Sequence, residues 1–157
     1  MSPLRRRVQR ARGGGYRLRL PAQERDALRP LGAQLRGVSP SDPSMRRLTP
    51  PAYESDPLME ADYREMVGSE LTAERERALD TFETTLDADR LDEEQMTAWL
   101  VTINDLRLIL GTRLDVTEDM DVSAIGPDDP RMPGLTLYGY LSYLLEEIVD
   151  ALGAGIP

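Results

Sequence analysis

The sequence predicts a mainly α-helical fold: a single-domain helical bundle with a β-hairpin at its N-terminus. Three features carry this expectation. Met96 to Asp119 holds the longest well-formed helical pattern, Leu137 to Leu152 holds a second strong stripe, and two-residue alternation follows Gly13, Gly14 and Gly15. Residues 1–5 and 153–157 read as flexible ends, and 6–152 as one domain, with the hairpin at 6–20 and a helical body at 21–152.

In the hairpin, Tyr16, Leu18 and Leu20 alternate with Arg17 and Arg19, so one face of the second strand is apolar and the other basic. A three-residue glycine loop would set Val8 opposite Leu20. The glycines are not a phosphate loop, because they lack the following helix N-terminus and the Lys-Ser/Thr that such loops use.

Pro21 opens a helix with Ala27, Leu28, Leu31 and Leu35 as its apolar residues, Pro30 as a kink and Gly37 as a stop. Ser39 to Pro57 is a proline-rich connector. Two helical patterns follow, divided near Gly68-Ser69; the second uses Leu71, Ala78, Leu79, Phe82 and Leu86, and its charged residues from Glu74 to Arg77 are expected to face water.

The central helix begins at Asp92, where an N-cap and acids in the first turn satisfy free N–H groups and suit the helix dipole, and it ends near Leu114. Met96, Trp99, Ile103, Leu106 and Leu110 form one apolar stripe; Val101, Leu108 and Gly111 lie on another. A helix with two stripes is buried on two sides. After an acidic loop from Asp115 to Met132, the last helix places Leu137, Leu141, Leu144, Leu145, Ile148 and Leu152 on its core side. A different stripe of that helix carries Tyr140, Tyr143, Glu147 and Asp150. Tyrosines favour interfaces, so Tyr140 and Tyr143 are candidates for a docking or dimer face, or else pack on their own domain.

Composition removes most familiar chemistries. These 157 residues contain no Cys and no His, which excludes a disulfide, a thiol nucleophile, imidazole catalysis and soft-metal sites, so no catalytic, cofactor or metal residues are expected. Asp119, Asp121 and Ser123 resemble the start of a calcium loop, but Ala124 and Pro130 stand where such a loop needs Gly and Glu. No apolar run reaches the roughly 20 residues that span a membrane, and no signal peptide is visible, so the expectation is a cytoplasmic protein.

Charge is unevenly spread. Residues 1–50 carry +9 and residues 51–157 carry −18, within a net charge of −9. The basic arm either binds something acidic, nucleic acid included, or folds onto the acidic body of its own chain or of a second copy in a homodimer. On the central helix, Asn104, Asp105, Arg107 and Arg113, with Glu118 beyond its end, form either an anion-binding polar site or a network that fixes packing.

The hairpin ending in Leu-Arg-Leu, the segment from Arg46 through Pro50-Pro51-Ala52-Tyr53, Asn104-Asp105-Leu106-Arg107, Gly111-Thr112-Arg113 and Val116 to Asp119 together resemble an actinobacterial family, domain of unknown function two-thousand-seventeen. The resemblance implies a role among oxidative-stress transcriptional regulators that act alongside a sigma factor, with genes that neighbour a Clp protease adaptor. It also implies a redox-sensing cysteine pair in some members, from which this sequence departs.

Three readings follow. The first is a non-enzymatic regulator that docks transcription machinery, RNA polymerase or a sigma factor, through Arg5, Arg6, Arg7, Arg17, Arg19, Tyr140 and Tyr143. The second is a small anion-binding protein or enzyme at Arg107 and Arg113, with Asp105 and Glu118 nearby. The third is an adaptor linked to Clp proteolysis.

Overall fold

The structure, a computed structural model, describes residues 6–38, 73–116 and 125–153. It is mainly α-helical with an N-terminal antiparallel hairpin, as the periodicities predict. The expected connector, the helical pattern from Leu58 to Val67, Leu71 and most of the acidic loop lie outside the described residues, as do Arg5 and Glu118.

β1 (Val8–Arg10) pairs with β2 (Tyr16–Leu18), Val8 opposite Leu18 and Arg10 opposite Tyr16. The expected pairing of Val8 with Leu20 is thus corrected by two residues. The loop takes in Ala11 and Arg12 as well as the glycines, the Ala11 N–H donating to the Gly15 carbonyl at 2.9 Å. All three glycines adopt positive φ, which a residue with a Cβ rarely does. A shift of two preserves the faces of a strand, so Val8, Tyr16, Leu18 and Leu20 still point to the core.

The hairpin also gains a third strand that periodicity does not reveal. β3 (Arg90–Leu91) pairs antiparallel with β2, setting Leu91 against Tyr16 and Arg90 against Arg17. Two residues are too few to show a repeat.

α1 (Ala22–Arg36) starts after Pro21, encloses Pro30 and ends at Gly37, which stays right-handed at φ −81°. Its buried residues are Arg25, Leu28 and Gly32, whereas Ala27 is exposed. α2, described over 73–84, buries Leu79 and Phe82, with Leu86 just beyond its end. α1 is joined to α2 by Arg36, which reaches Asp80 and Glu83, and to the turn after α2 by Arg29, which meets Asp87 at 2.9 Å. Such exposed pairs add little each. At Gly32, where the Glu83 side chain lies 3.1 Å from the position a Cβ would take, the two helices come close.

α3 (Glu93–Arg113) opens with the expected capping box: Asp92 accepts the Gln95 N–H at 2.7 Å and Gln95 accepts the Asp92 N–H at 2.9 Å. Met96, Trp99, Ile103 and Leu106 are buried as predicted. The second buried side differs from expectation, since Ala98, Thr102, Asp105 and Ile109 fill it while Val101 and Leu108 are only partly covered. α4 (Met132–Gly153) packs along α3 and against β1, with Leu141, Leu144 and Ile148 in the core. Trp99 sits at the centre, its ring 4.6 Å from that of Phe82 and its indole N–H donating to Thr85 Oγ1 at 2.7 Å.

Candidate interaction surfaces

The three-stranded sheet divides its side chains by parity. Val8, Tyr16, Leu18 and Leu91 face the helices, and Arg7, Gln9, Arg17, Arg19 and Arg90 take the opposite side.

On that outer side, the arginines split into two groups. Arg7 turns to α1 and grips Glu24 in a two-point contact, Nε at 3.2 Å and Nη2 at 2.8 Å. Burial opposes the charge on Glu24, but the hydrogen bond from Arg7 prevails and holds the carboxyl below its ordinary value. Arg6 reaches Asp150 of α4 at 3.2 Å, with Glu147 3.9 Å from its Nε. Arg6 therefore folds onto the acidic body of its own chain, and Arg7 onto the helix that follows the hairpin.

Arg17 and Arg19 do not. They remain exposed and line a crevice of about 290 Å³ with Arg10, Arg12 and Arg90. Among the described residues, none of these five side chains forms an ion pair; Arg10 lies over the Tyr16 ring at 5.8 Å. Arg10, Arg12 and Arg90 escape sequence reasoning for different reasons. The first two sit in an arginine-rich run whose orientation depends on the true register, and Arg90 arrives by way of the unforeseen strand.

The two tyrosines of α4 have separate environments. Tyr140 is half-buried, and burial first, then the neighbouring Glu24 carboxylate, pushes its phenol well above the ordinary value. Tyr143 is 37% exposed and, with Val149, is one of the two large apolar side chains exposed among the described residues. The Glu147 carboxylate beside it pushes its phenol up.

The polar residues of α3 are distributed over several places. Asp105 is buried and faces Arg75 of α2 at 3.5 Å, so Arg75 turns inward from the charged run expected to face water. Desolvation pushes the Asp105 carboxyl up to about 6, against the opposing pull of Arg75. Arg107 instead meets Tyr138 of α4, with a hydrogen bond of 3.1 Å to the phenol and the guanidinium 5.7 Å from the ring centre. Arg113 is exposed at the rim of a small apolar cleft of about 70 Å³ lined by Leu35, Leu106, Leu110 and Leu137. Asn104 is half-buried.

The buried cation that sequence reasoning missed is Arg25. Its guanidinium donates to the carbonyls of Leu20 at 2.8 Å, Leu86 at 2.6 Å and Ala88 at 2.9 Å, with Leu18 at 3.4 Å. One side chain thereby ties α1 to β2 and to the turn before β3. Its spacing three residues before Leu28 is the signal that places it on the inner face.

Residues 5–152 match the family described as Domain of unknown function (DUF2017). The chain belongs to that family. Relatives named "Oxidative stress regulator AosR", from Mycobacterium bovis and from Mycobacterium tuberculosis, are 32% identical to it over 138 residues. The alignment covers 72% of this chain and 59% of the relatives' own length. No solved structure matches the chain. Within the described part of this family member, no group of three or more Asp or Glu is placed to hold a metal ion, and no helix is long and apolar enough to cross a membrane.

Proposed function

We propose that this chain is a non-enzymatic, transcription-associated regulator of the oxidative stress response that works through contacts with a protein partner in the cytoplasm. The observation that carries the reading is the relationship to proteins named as oxidative stress regulators, at 32% identity. These 157 residues hold no Cys, so the chain contributes no thiol switch of its own, and its part in the response lies in what it docks with. Tyr143 on α4 supplies the exposed ring of the docking surface, flanked by Asp150 and Arg6.

The test is affinity purification of the tagged protein from its native cytoplasm, with and without nuclease. RNA polymerase or a sigma factor retained after nuclease treatment, and lost in a Tyr143→Ala variant, supports the reading. Recovery of Clp components alone replaces it with a proteolysis adaptor. Recovery of nothing, together with a metabolite that raises the melting temperature, replaces it with ligand binding.

A further inference from the structure

The outer face of the sheet is unusual in what it lacks as well as what it holds. Arg17 and Arg90 stand directly opposite each other across β2 and β3, a pairing of like charges that weakens a sheet. Arg19 follows just past the end of β2, where its N–H donates to the Arg7 carbonyl at 2.7 Å, and Arg10 and Arg12 close the crevice at the turn. Nothing among the described residues neutralises them, although the chain as a whole carries −9. An intramolecular role is already taken by Arg6, Arg7 and Arg25, each of which has carboxylate or carbonyl partners.

We infer that Arg12, Arg17, Arg19 and Arg90 form a surface that grips the phosphate backbone of duplex nucleic acid. Two observations favour phosphate over an acidic protein. A protein interface is built around a buried apolar or aromatic core, and the large apolar residues exposed among the described residues, Tyr143 and Val149, are both on α4 and not on this face. The arginines also stand in two adjacent rows: roughly 7 Å of backbone separates Arg17 from Arg19, and a strand spacing of about 5 Å separates Arg17 from Arg90, so their long side chains present several cations side by side to one phosphate backbone. Guanidinium groups bind such oxygens in a two-point fork.

The acidic body does not forbid this. At physiological salt the Debye length is about 8 Å, so carboxylates farther away than that are largely screened while the local arginines act in contact. Among the described residues the outer face carries no aromatic ring to stack on a base, because Tyr16 points inward, so recognition is by phosphate and independent of sequence.

Fluorescence anisotropy with a labelled 25-base-pair duplex of arbitrary sequence, titrated with the whole chain at several salt concentrations, tests the proposal. Four phosphate contacts predict a log–log salt slope of about −3.6, on the order of a hundredfold weakening from about 50 to about 200 mM. A triple variant, Arg17→Gln, Arg19→Gln and Arg90→Gln, is expected to weaken binding at least tenfold and flatten the slope by about 3, while the Arg→Lys triple retains most of it. Trp99 fluorescence reports that each variant is folded. No binding of duplex, unchanged binding by the Gln triple, or equal binding of poly-glutamate would overturn the proposal, the last in favour of an acidic protein segment. This outcome is independent of whether a sigma factor is recovered, since the two surfaces are on different elements.

Discussion

A side-chain oxygen of Glu147, on α4, accepts the backbone N–H of Val8 in β1 at 3.1 Å, joining residues 139 positions apart. The edge strand thereby has a partner on its outer side that is not another strand. Glu147→Ala leaves a buried N–H without an acceptor and is expected to cost about 1–3 kcal/mol, whereas Glu147→Gln keeps an oxygen there and costs less. The loss of the longer contact with half-exposed Arg6 adds little. Urea unfolding followed by Trp99 fluorescence distinguishes the two variants; equal losses would mean that the charge, and not the acceptor, matters.

Arg25 makes a sharper prediction. Arg25→Ala strands the carbonyls of Leu20, Leu86 and Ala88 in a buried setting and is expected to destabilise by more than about 3 kcal/mol. Arg25→Lys keeps the charge but not the planar fork, so its loss falls between that of alanine and the unaltered chain. If Lys equals Arg in thermal unfolding, the fork is not what holds α1 to the sheet.

Asp105 links stability to pH. Its folded value of about 6 lies above an ordinary carboxyl, so the folded state binds the proton more tightly than the unfolded chain does. The contribution is therefore fully present below about pH 4 and is lost as pH rises through about 6, amounting to roughly 3 kcal/mol. Glu24, held below its ordinary value, acts in the opposite sense and is lost on acidification. The measurement is consequently a difference: the stability of Asp105→Asn relative to the unaltered protein should rise from pH 4 to pH 6 and then level off. A flat difference would place the carboxylate in a wetter setting.

Gly111 sits where α3 meets α4. A Cβ there would lie 2.9 Å from Cε2 of the Tyr138 ring, which also receives Arg107. Helix propensity alone favours alanine over glycine by about 1 kcal/mol, but overpacking a rigid ring costs about 1–3 kcal/mol. Gly111→Ala should therefore lower stability by about 1 kcal/mol, read by chemical denaturation; a gain would show that the helices can part without penalty.

Much of this architecture is legible in the sequence because long apolar periods leave few alternatives. Asp92 and Gln95 announce the start of α3 three residues apart, and Leu141, Leu144 and Ile148 can only be one face of a helix. The hairpin is legible in its faces but not its register, since glycines mark a turn without fixing its length. What escapes is made of contacts with no local signature. Arg25 looks like any surface arginine until three carbonyls from two other segments converge on it, and Arg75 belongs to a charged run until Asp105 is seen beneath it. The candidate surfaces share this limit: Arg17 and Arg19 show themselves by alternation, whereas Arg90 joins them only through the pairing of β3.

The packing of α4 on β1 also constrains the order of folding. On the ribosome, β1 and β2 emerge first, and roughly 120 residues must follow before α4 exists to cover them, a delay on the order of ten seconds at ordinary rates of synthesis. Throughout that interval the apolar side of the hairpin awaits the helix that completes its burial, so β1 becomes secure only once α4, far along the sequence, has been made.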